Sequence, residues 1–233
     1  SELGRLLAER FPGHDADALA QGARAWLPMV QVPPRGVWGR GGRALQTPLE
    51  TWLGRPQSAP PVRDLVLRYL TAFGPATVRD AQAWSGLTRL AEVFEELGPR
   101  LRVDGDLYDL PDAPRPDPDT PAPVRFLYDY DNLLLSHADR SRVFGDSGEV
   151  DYAAHGYVGD SNVQPASVLV DGFVAATWTV ARQRRACTLT VRGFRRLNAA
   201  ERGALETEGA ALLEFLHPGD EHDVRVEPVR PSA

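Results

Sequence analysis

The sequence predicts an α+β protein whose first half is mainly helical and whose second half is β-rich and ends in a helix. Apolar residues recur at helical spacing before residue 110, and β-branched apolar runs alternate after residue 166. Between these regions, residues 111–123 contain six prolines in thirteen positions, which excludes a helix or an interior strand. We therefore expect this segment to link two domains of different class.

Length and composition limit what the chain can be. Its 233 residues allow one large domain or two small ones, and 42% hydrophobic with 25% charged residues excludes a wholly disordered protein. No apolar run reaches the roughly 18 residues of a membrane span, and residues 1–11 lack the features of a signal peptide. A soluble, cytoplasmic protein without membrane contact is expected. Because Cys187 is the single cysteine and the five histidines are scattered, we expect no disulfide and no structural metal.

Residues 62–110 show the clearest order of elements. A first helix ends at Gly74-Pro75, Thr77 is placed to cap a second helix, and Thr88 is placed to cap a third. Asp104-Gly105, between alternating apolar residues, predicts a hairpin. Three helices followed by a hairpin are the plan of a complete winged helix, whose third helix can enter the major groove of DNA.

The third predicted helix carries conflicting signals. Thr88 and Arg89 stand at its start, where reading helices usually place their groove-contacting side chains. Three carboxylates follow and would repel a duplex: Glu92, Glu95 and Glu96. We favour structural packing of this unit over insertion of its third helix.

Residues 1–55 resemble the same unit with its first helix missing, a partial winged helix with a basic wing. One helix ends at Pro12-Gly13, a second begins at Asp15, and an extended stretch turns at Gly41-Gly42. A helix pair without its partner leaves apolar surface exposed. We therefore expect either a truncated unit or a packing partner for the N-terminal helices.

The charge distribution is uneven although the chain is acidic overall. There are 26 basic residues, all arginine, against 32 acidic ones, a net charge of −6. Residues 28–47 carry three arginines and residues 182–196 carry six, with no acid in either segment. Both segments are candidate phosphate-binding surfaces. A solvated strand edge is the alternative for the second, and codon bias alone could explain the choice of arginine.

The second half contains three predicted strands, SVLV, FVAATWTV and ACTLTV. Turns are predicted at Asp171-Gly172 and at residues 183–185. Asn198 is placed to cap an amphipathic helix that ends at residue 216, and the tail 218–233 is expected to be mobile. Cys187 is expected to be a buried core residue without an activated thiolate.

A cluster of ionisable residues follows the proline-rich segment. Its carboxylates and imidazole could act as general acid and base on a glycosidic bond, or could form buried salt bridges that fix a domain junction. Arg140 and Arg142, which follow the cluster, would both contact phosphate if they lie on a strand, because alternate residues of a strand point to the same face. The cluster consists of Asp129, Asp131, His137 and Asp139, followed by Arg140 and Arg142.

Four blocks together carry a resemblance to a known family: LPMVQVPPRGVWGRGG at 27–42, YLTAFGPATVRDAQAWSGL at 69–87, YDYDNLLLSHADRSRVF at 128–144 and VLVDGFVAATW at 168–178. The chain resembles the bacterial winged-helix DNA-binding family that includes DNA glycosylases able to release bulky alkylated bases and to unhook interstrand crosslinks. The resemblance covers about residues 3–217. It implies tandem winged-helix units followed by a β-barrel-like C-terminal domain at 124–217, around a concave face for double-stranded DNA, damaged or intact.

The same resemblance does not supply a catalytic residue. The family's catalytic pair, two glutamines or a glutamine and an aspartate separated by one apolar residue, is absent from this chain. Two positions after Gln31 stands Pro33, and two positions after Gln82 stands Trp84. The missing segment would lie before Ser1, so the catalytic residues stay unknown.

Three functions follow as hypotheses. The first is a DNA-repair protein of the glycosylase type, which needs no metal or organic cofactor and would hydrolyse an N-glycosidic bond after exposing the damaged base. The second is a non-enzymatic DNA-binding module or transcription regulator, and the third is a fragment that makes only protein contacts. The residues predicted to contact DNA are Arg35, Trp38, Arg40, Arg43, Arg140, Arg142, Arg184 and Arg185.

Overall fold

A computed structural model describes residues 1–145 and 166–227. Helices and strands are both present, as the α+β prediction requires, and the backbone divides into two compact units, Ser1–Pro60 and Pro61–Ala233. Among the described residues, no helix combines the length and the apolar character needed to cross a membrane.

The first unit contains three helices and a two-stranded sheet. The elements are α1 (Glu2–Arg10), α2 (Ala16–Trp26), β1 (Met29–Gln31), β2 (Gln46–Pro48) and α3 (Leu49–Leu53). As predicted, Asp15 begins α2, because its side chain accepts a hydrogen bond from the Ala18 N–H at 2.8 Å. Gly4 permits close approach of α1 to α2, since a Cβ there would lie 2.4 Å from the Ala16 carbonyl oxygen.

The loop that joins β1 to β2 turns earlier than the sequence predicts. The turn was expected at Gly41-Gly42, but the turns fall within residues 33–39. Two backbone hydrogen bonds cause the difference: the Val37 N–H donates to the Pro34 carbonyl at 3.1 Å, and the Arg40 N–H to the Val37 carbonyl at 3.0 Å. Residues 32–45 form the loop that connects the two strands and are called the arginine loop from here on.

The second unit begins with the predicted order of three helices and a hairpin. The elements are α4 (Val62–Phe73), α5 (Val78–Ser85), α6 (Leu90–Leu97), β3 (Arg102–Asp104) and β4 (Leu107–Asp109). The helices pack around a core that includes Tyr69, Leu70 and Phe94, each at most 2% exposed. The hairpin turn lies at residues 105–106, one position later than predicted.

Helix α5 has the predicted cap, whereas α6 does not. Thr77 and Asp80 form a capping box at the start of α5. The prediction that Thr88 caps α6 is wrong: the cap position is Arg89, which adopts a left-handed backbone with φ 62°. The first free N–H of α6, that of Leu90, donates instead to Gln82 Oε1 at 3.1 Å.

The proline-rich segment 111–123 forms neither helix nor strand, as its composition predicts. It lies within the second unit, and Arg115 holds its start against the hairpin by donating to Asp109 Oδ2 at 3.1 Å and to the Leu110 carbonyl at 3.1 Å. Its role as a domain linker stays a prediction.

Within the described part of the second unit, a short helix α7 (Ser141–Phe144), a five-stranded open sheet and a long helix follow the proline-rich segment. In order the sheet contains β5 (Arg125–Phe126), β6 (Ser167–Val170), β7 (Phe173–Gln183), β8 (Ala186–Gly193) and β9 (Glu221–Glu227). Helix α8 (Ala199–Leu216) connects β8 to β9, so β9 runs parallel to β8 while the other neighbours are antiparallel.

The expected barrel-like closure is wrong. Strands β5 and β9 are the two edges of this sheet and do not pair with each other. Helix α8 covers the apolar face instead, with Leu205 and Leu213 fully buried in the core beside β8. Gly209 allows the helix to approach β9, because a Cβ there would lie 3.1 Å from Val224 Cγ1. A helix therefore completes the core that a closed barrel would have formed from strands.

The three predicted strands, both of their turns and the Asn198 cap are confirmed. The expectation of a mobile tail from residue 218 is wrong for Glu221–Glu227, which form β9. Val224 and Val226 pack against the core, while charged residues alternate with them on the exposed face. The high charge of this short run concealed its alternation.

Replacing Leu213 by alanine tests the contribution of α8 to the sheet. Because Leu213 is fully buried, the variant should lose about 2–5 kcal/mol in the free energy of unfolding, whereas Leu212→Ala, at a half-buried position on the same helix, should lose less. Amide hydrogen exchange of β8 in both variants measures the difference. Equal losses would contradict the assigned packing of α8.

Candidate nucleic-acid interface

The arginine loop presents its cations to solvent. Arg35 and Arg40 are exposed and form no ion pair within residues 1–145 and 166–227. Arg43 lies 4.0 Å from the Glu2 carboxylate, a loose and exposed pair. Trp38 is 71% exposed, so its side chain is not part of a hydrophobic core. The loop therefore places one large aromatic ring among three exposed arginines.

The second arginine-rich segment is largely neutralised by acids that are distant in sequence. Asp220 binds two of its arginines, with 2.8 Å from Oδ2 to Arg182 Nε and 3.7 Å from Oδ1 to Arg185 Nε. Its side chain is only 7% exposed, and the Arg182 hydrogen bond holds the Asp220 pKa below its ordinary value. The predicted basic surface therefore does not carry its full charge.

Two further pairs extend this neutralisation. Arg192 Nε lies 3.0 Å from Glu227 Oε2, and Arg195 Nη2 lies 2.8 Å from Glu201 Oε1. Four of the six arginines are therefore paired with carboxylates of α8, β9 or the turn between them. Arg184 differs, because it is exposed at the β7–β8 turn with φ 57° and forms no ion pair among the described residues.

Cys187 is buried in the sheet, as predicted. Burial raises the pKa of its thiol, and a hydrogen bond to Asp220 raises it further, so the thiol is not activated. Ligand atoms of Cys187, His217 and Asp220 lie within 4.8 Å of one another. The negative charge of Asp220 is already compensated by Arg182 and Arg185, which disfavours a cation at this cluster.

The predicted acid–base cluster is not assembled as a single site. Asp131 accepts from the Leu133 N–H at 2.9 Å and Asp139 from the Ser141 N–H at 2.9 Å, so each caps its own turn. The carboxylate that does interact with His137 is Asp80, which the sequence marked only as part of a helix. This arrangement favours the structural alternative, in which the ionisable groups fix a junction.

Asp80 makes that junction. Its Oδ2 accepts from the Thr77 N–H and hydroxyl, each at 2.8 Å, and its Oδ1 accepts from the Ala138 N–H at 2.9 Å. Burial alone would raise the Asp80 pKa, but the hydrogen bonds from Thr77 and Ala138 outweigh burial and hold the pKa below its ordinary value. The buried carboxylate thus joins α5 to residues 136–144.

His137 adds a second tie between the same parts. Its Nε2 lies 3.1 Å from the Phe73 carbonyl oxygen and its Nδ1 lies 2.8 Å from Ser136 Oγ. Tyr69 donates to the Ser136 carbonyl at 2.8 Å. Burial, together with the charge of Arg142, lowers the His137 pKa. The neutral imidazole therefore donates through Nε2–H to the Phe73 carbonyl at neutral pH, because a carbonyl oxygen can only accept. The Ser136 hydroxyl donates to the Leu133 carbonyl at 2.7 Å.

Arg140 and Arg142 do not lie on a strand, so the alternation predicted for them is wrong. Residues Ser141–Phe144 form a short helix, α7, and Arg140 is the residue before it. Buried Val143 and Phe144 require the helical turn, because both side chains enter the same core cluster. Arg142 Nη1 donates to the Pro75 carbonyl at 2.6 Å.

Comparison with known proteins gives one family and one similar structure. Residues 1–215 match the family described as DNA glycosylase AlkZ-like. The solved structure of the Streptomyces sahachiroi DNA glycosylase AlkZ is similar, with a TM-score of 0.64 and 19% sequence identity. The similarity covers 95% of this chain but 63% of that protein, and at this identity it establishes the fold alone. No curated protein matches the chain.

The lowered pKa of His137 makes stability depend on pH. Between that pKa and the ordinary value of 6.5, the unfolded chain binds more protons than the folded one, so the free energy of unfolding should fall as the pH drops below about 6.5. His137→Gln keeps a donor for Phe73 but cannot titrate, and should remove this part of the dependence. Urea unfolding at pH 5 and pH 7, with an NMR titration of the imidazole, measures both. An imidazole pKa above 6.5 would contradict the assignment.

Proposed function

This chain belongs to the AlkZ-like DNA glycosylase family, and we propose from that premise that it is a cytoplasmic DNA-repair protein that binds double-stranded DNA. The single observation that carries the proposal is the arginine loop. It holds three exposed arginines and no acid in a chain of net charge −6. Concentrated cations of this kind release counterions from a DNA backbone even when the whole protein is acidic.

The arginine loop has the composition of a DNA-binding wing. Arg35, Arg40 and Arg43 can each donate to a phosphate, and Trp38 can stack on a base or wedge between base pairs. We propose that residues 1–55 are a partial winged helix with this loop as its wing. The antiparallel β1–β2 pair at the base of the loop supports the proposal.

Residues 62–110 have the element order of a complete winged helix, and we propose that they form one in tandem with the first. Its third helix, α6, exposes Glu92, Glu95 and Glu96, and Arg63 lies 3.7 Å from Glu96. Carboxylates on this face repel phosphate. The unit therefore supports its neighbours by packing, and α6 does not enter the major groove.

Four further arginines are proposed to contact the backbone. Arg184 is the strongest of those on the β7–β8 turn, because Arg185 shares the Asp220 carboxylate. Arg142 is exposed although it donates to Pro75, and Arg140 is half-buried. Each adds positive charge without reading sequence.

The chemistry of the family is hydrolysis of the bond between a damaged base and its sugar, in which water attacks C1′ as the base leaves. The proposed substrates are duplexes with bulky alkylated bases or crosslinks. No residue of this chain is assigned to catalysis, because neither Gln31 nor Gln82 is followed two positions later by glutamine or aspartate. The second candidate is a DNA-binding module or transcription regulator without catalysis, which the exposed arginines of the loop support equally.

Removing the loop arginines tests DNA binding. The variant Arg35→Ala/Arg40→Ala/Arg43→Ala should bind a short duplex more weakly, and the slope of log affinity against log salt should fall by about 2.7, or about 0.9 per phosphate contact. Fluorescence anisotropy across a salt series measures both quantities. The matched control removes three exposed arginines outside the loop, Arg68, Arg100 and Arg202. Equal slopes in the two triple variants would contradict the proposal.

A base-release assay separates the two candidate functions. A glycosylase should release the modified base from a duplex that contains one bulky N-alkylated purine, leaving an abasic site that alkali cleaves. A regulator should bind one duplex sequence in preference to others and release no base from any. Release from the alkylated duplex would exclude the regulator, and sequence preference without release would exclude the enzyme.

A further inference from the structure

A wide groove in the second unit has the chemistry of a binding site for a polyanion. It lies between α5, the turn that follows α5 and residues 135–140, and has a volume of about 690 Å³. Its described lining contains no aspartate or glutamate. The residues that bear on its chemistry are Arg79, Trp84, Leu87, Leu135, His137 and Arg140.

Two arginines stand on opposite walls of this groove. Arg79 is exposed on α5 and has no ion pair within residues 1–145 and 166–227, while Arg140 belongs to the facing segment. The residue next to Arg79 is Asp80, whose Oδ1 accepts from the Ala138 N–H at 2.9 Å. This hydrogen bond joins one wall to the other, so the fold fixes the separation of the two segments before any ligand arrives.

The remaining lining is apolar or uncharged. Trp84 is held by aromatic neighbours, with ring centroids 5.1 Å from Tyr69 and 6.0 Å from Phe73. Leu87 and Leu135 are 39% and 37% exposed, which leaves apolar surface beside the cations. A sugar has apolar C–H faces next to its phosphate, and a free inorganic anion has none. Cations beside apolar surface thus suit a sugar–phosphate unit better than a small ion.

We propose that this groove binds the sugar–phosphate backbone of one DNA strand, with Arg79 and Arg140 donating to its phosphates and Leu87 and Leu135 contacting its sugars. The inference rests on the proposed DNA-binding function and adds a second contact surface to the arginine loop. Acidic residues line the adjacent cavity, where Asp80, Asp106 and Asp139 lie. Arg79 and Arg142 also line that cavity, so it is not uniformly acidic.

The variant Arg79→Ala/Arg140→Ala tests the groove. It should bind a short duplex at least tenfold more weakly in low salt, and its salt slope should fall by about 2, or about 0.9 for each lost phosphate contact. The matched control is Arg68→Ala/Arg202→Ala, which removes two exposed arginines outside the groove lining. Equal affinities and slopes for the two double variants would overturn the inference while leaving DNA binding intact.

A second measurement uses the unchanged protein, so it does not depend on how well a variant folds. His137 lines the groove, and its imidazole NMR resonances report occupancy. Addition of duplex DNA should shift them, and 20-fold excess inorganic phosphate should not. A shift with phosphate alone would assign the groove to a free anion and overturn the inference. If the unchanged protein binds no duplex at any salt concentration, the proposed function fails, and this inference fails with it.

Discussion

The Asp80 carboxylate is the interaction on which the geometry of the second unit depends. It is 6% exposed, and three donors from two segments satisfy it: the Thr77 N–H and hydroxyl and the Ala138 N–H. A buried acceptor that loses its donors costs about 1–3 kcal/mol, and more when it is charged. The same side chain thus begins α5 and holds residues 136–144 against it. His137 and Tyr69 reinforce this junction through the Phe73 and Ser136 carbonyls.

The distribution of ion pairs explains how an acidic chain can offer a surface to DNA. Carboxylates of α8, β9 and the turn between them engage Arg182, Arg192 and Arg195. The Asp220 side chain is only 7% exposed, so salt screens its ion pair with Arg182 less than it screens an exposed pair. Arg35 and Arg40 of the arginine loop and Arg79 on one wall of the groove form no ion pair among the described residues. The net charge of the chain therefore does not predict whether it binds DNA. The ion pairs of the individual arginines indicate which surfaces can attract a phosphate.

Local signals predicted most of the elements. Asp15, Thr77 and Asn198 each mark a helix start because capping depends on one side chain and the N–H groups two or three residues later. The strands β6, β7 and β8 were also predicted, because apolar and polar residues alternate along them. The pairing of strands distant in sequence was not predicted. Strand β9 lies parallel to β8 because α8 connects them, and the charged residues of β9 concealed its alternation. For the same reason the neutralisation of Arg182 and Arg192 by Asp220 and Glu227 could not be deduced from a local charge count.

Photochemical crosslinking of the unchanged protein to a duplex that contains bromodeoxyuridine, followed by mass spectrometry of the peptides, tests the central claim most directly. That claim is that the arginine loop and the groove between α5 and residues 135–140 form the DNA-binding surface. Adducts should map to residues 32–45, with Trp38 as the main acceptor, and to the groove segments 79–88 and 135–140. Adducts confined to the carboxylate-paired residues of β8, α8 and β9, or no adducts under conditions where the duplex is bound, would contradict it.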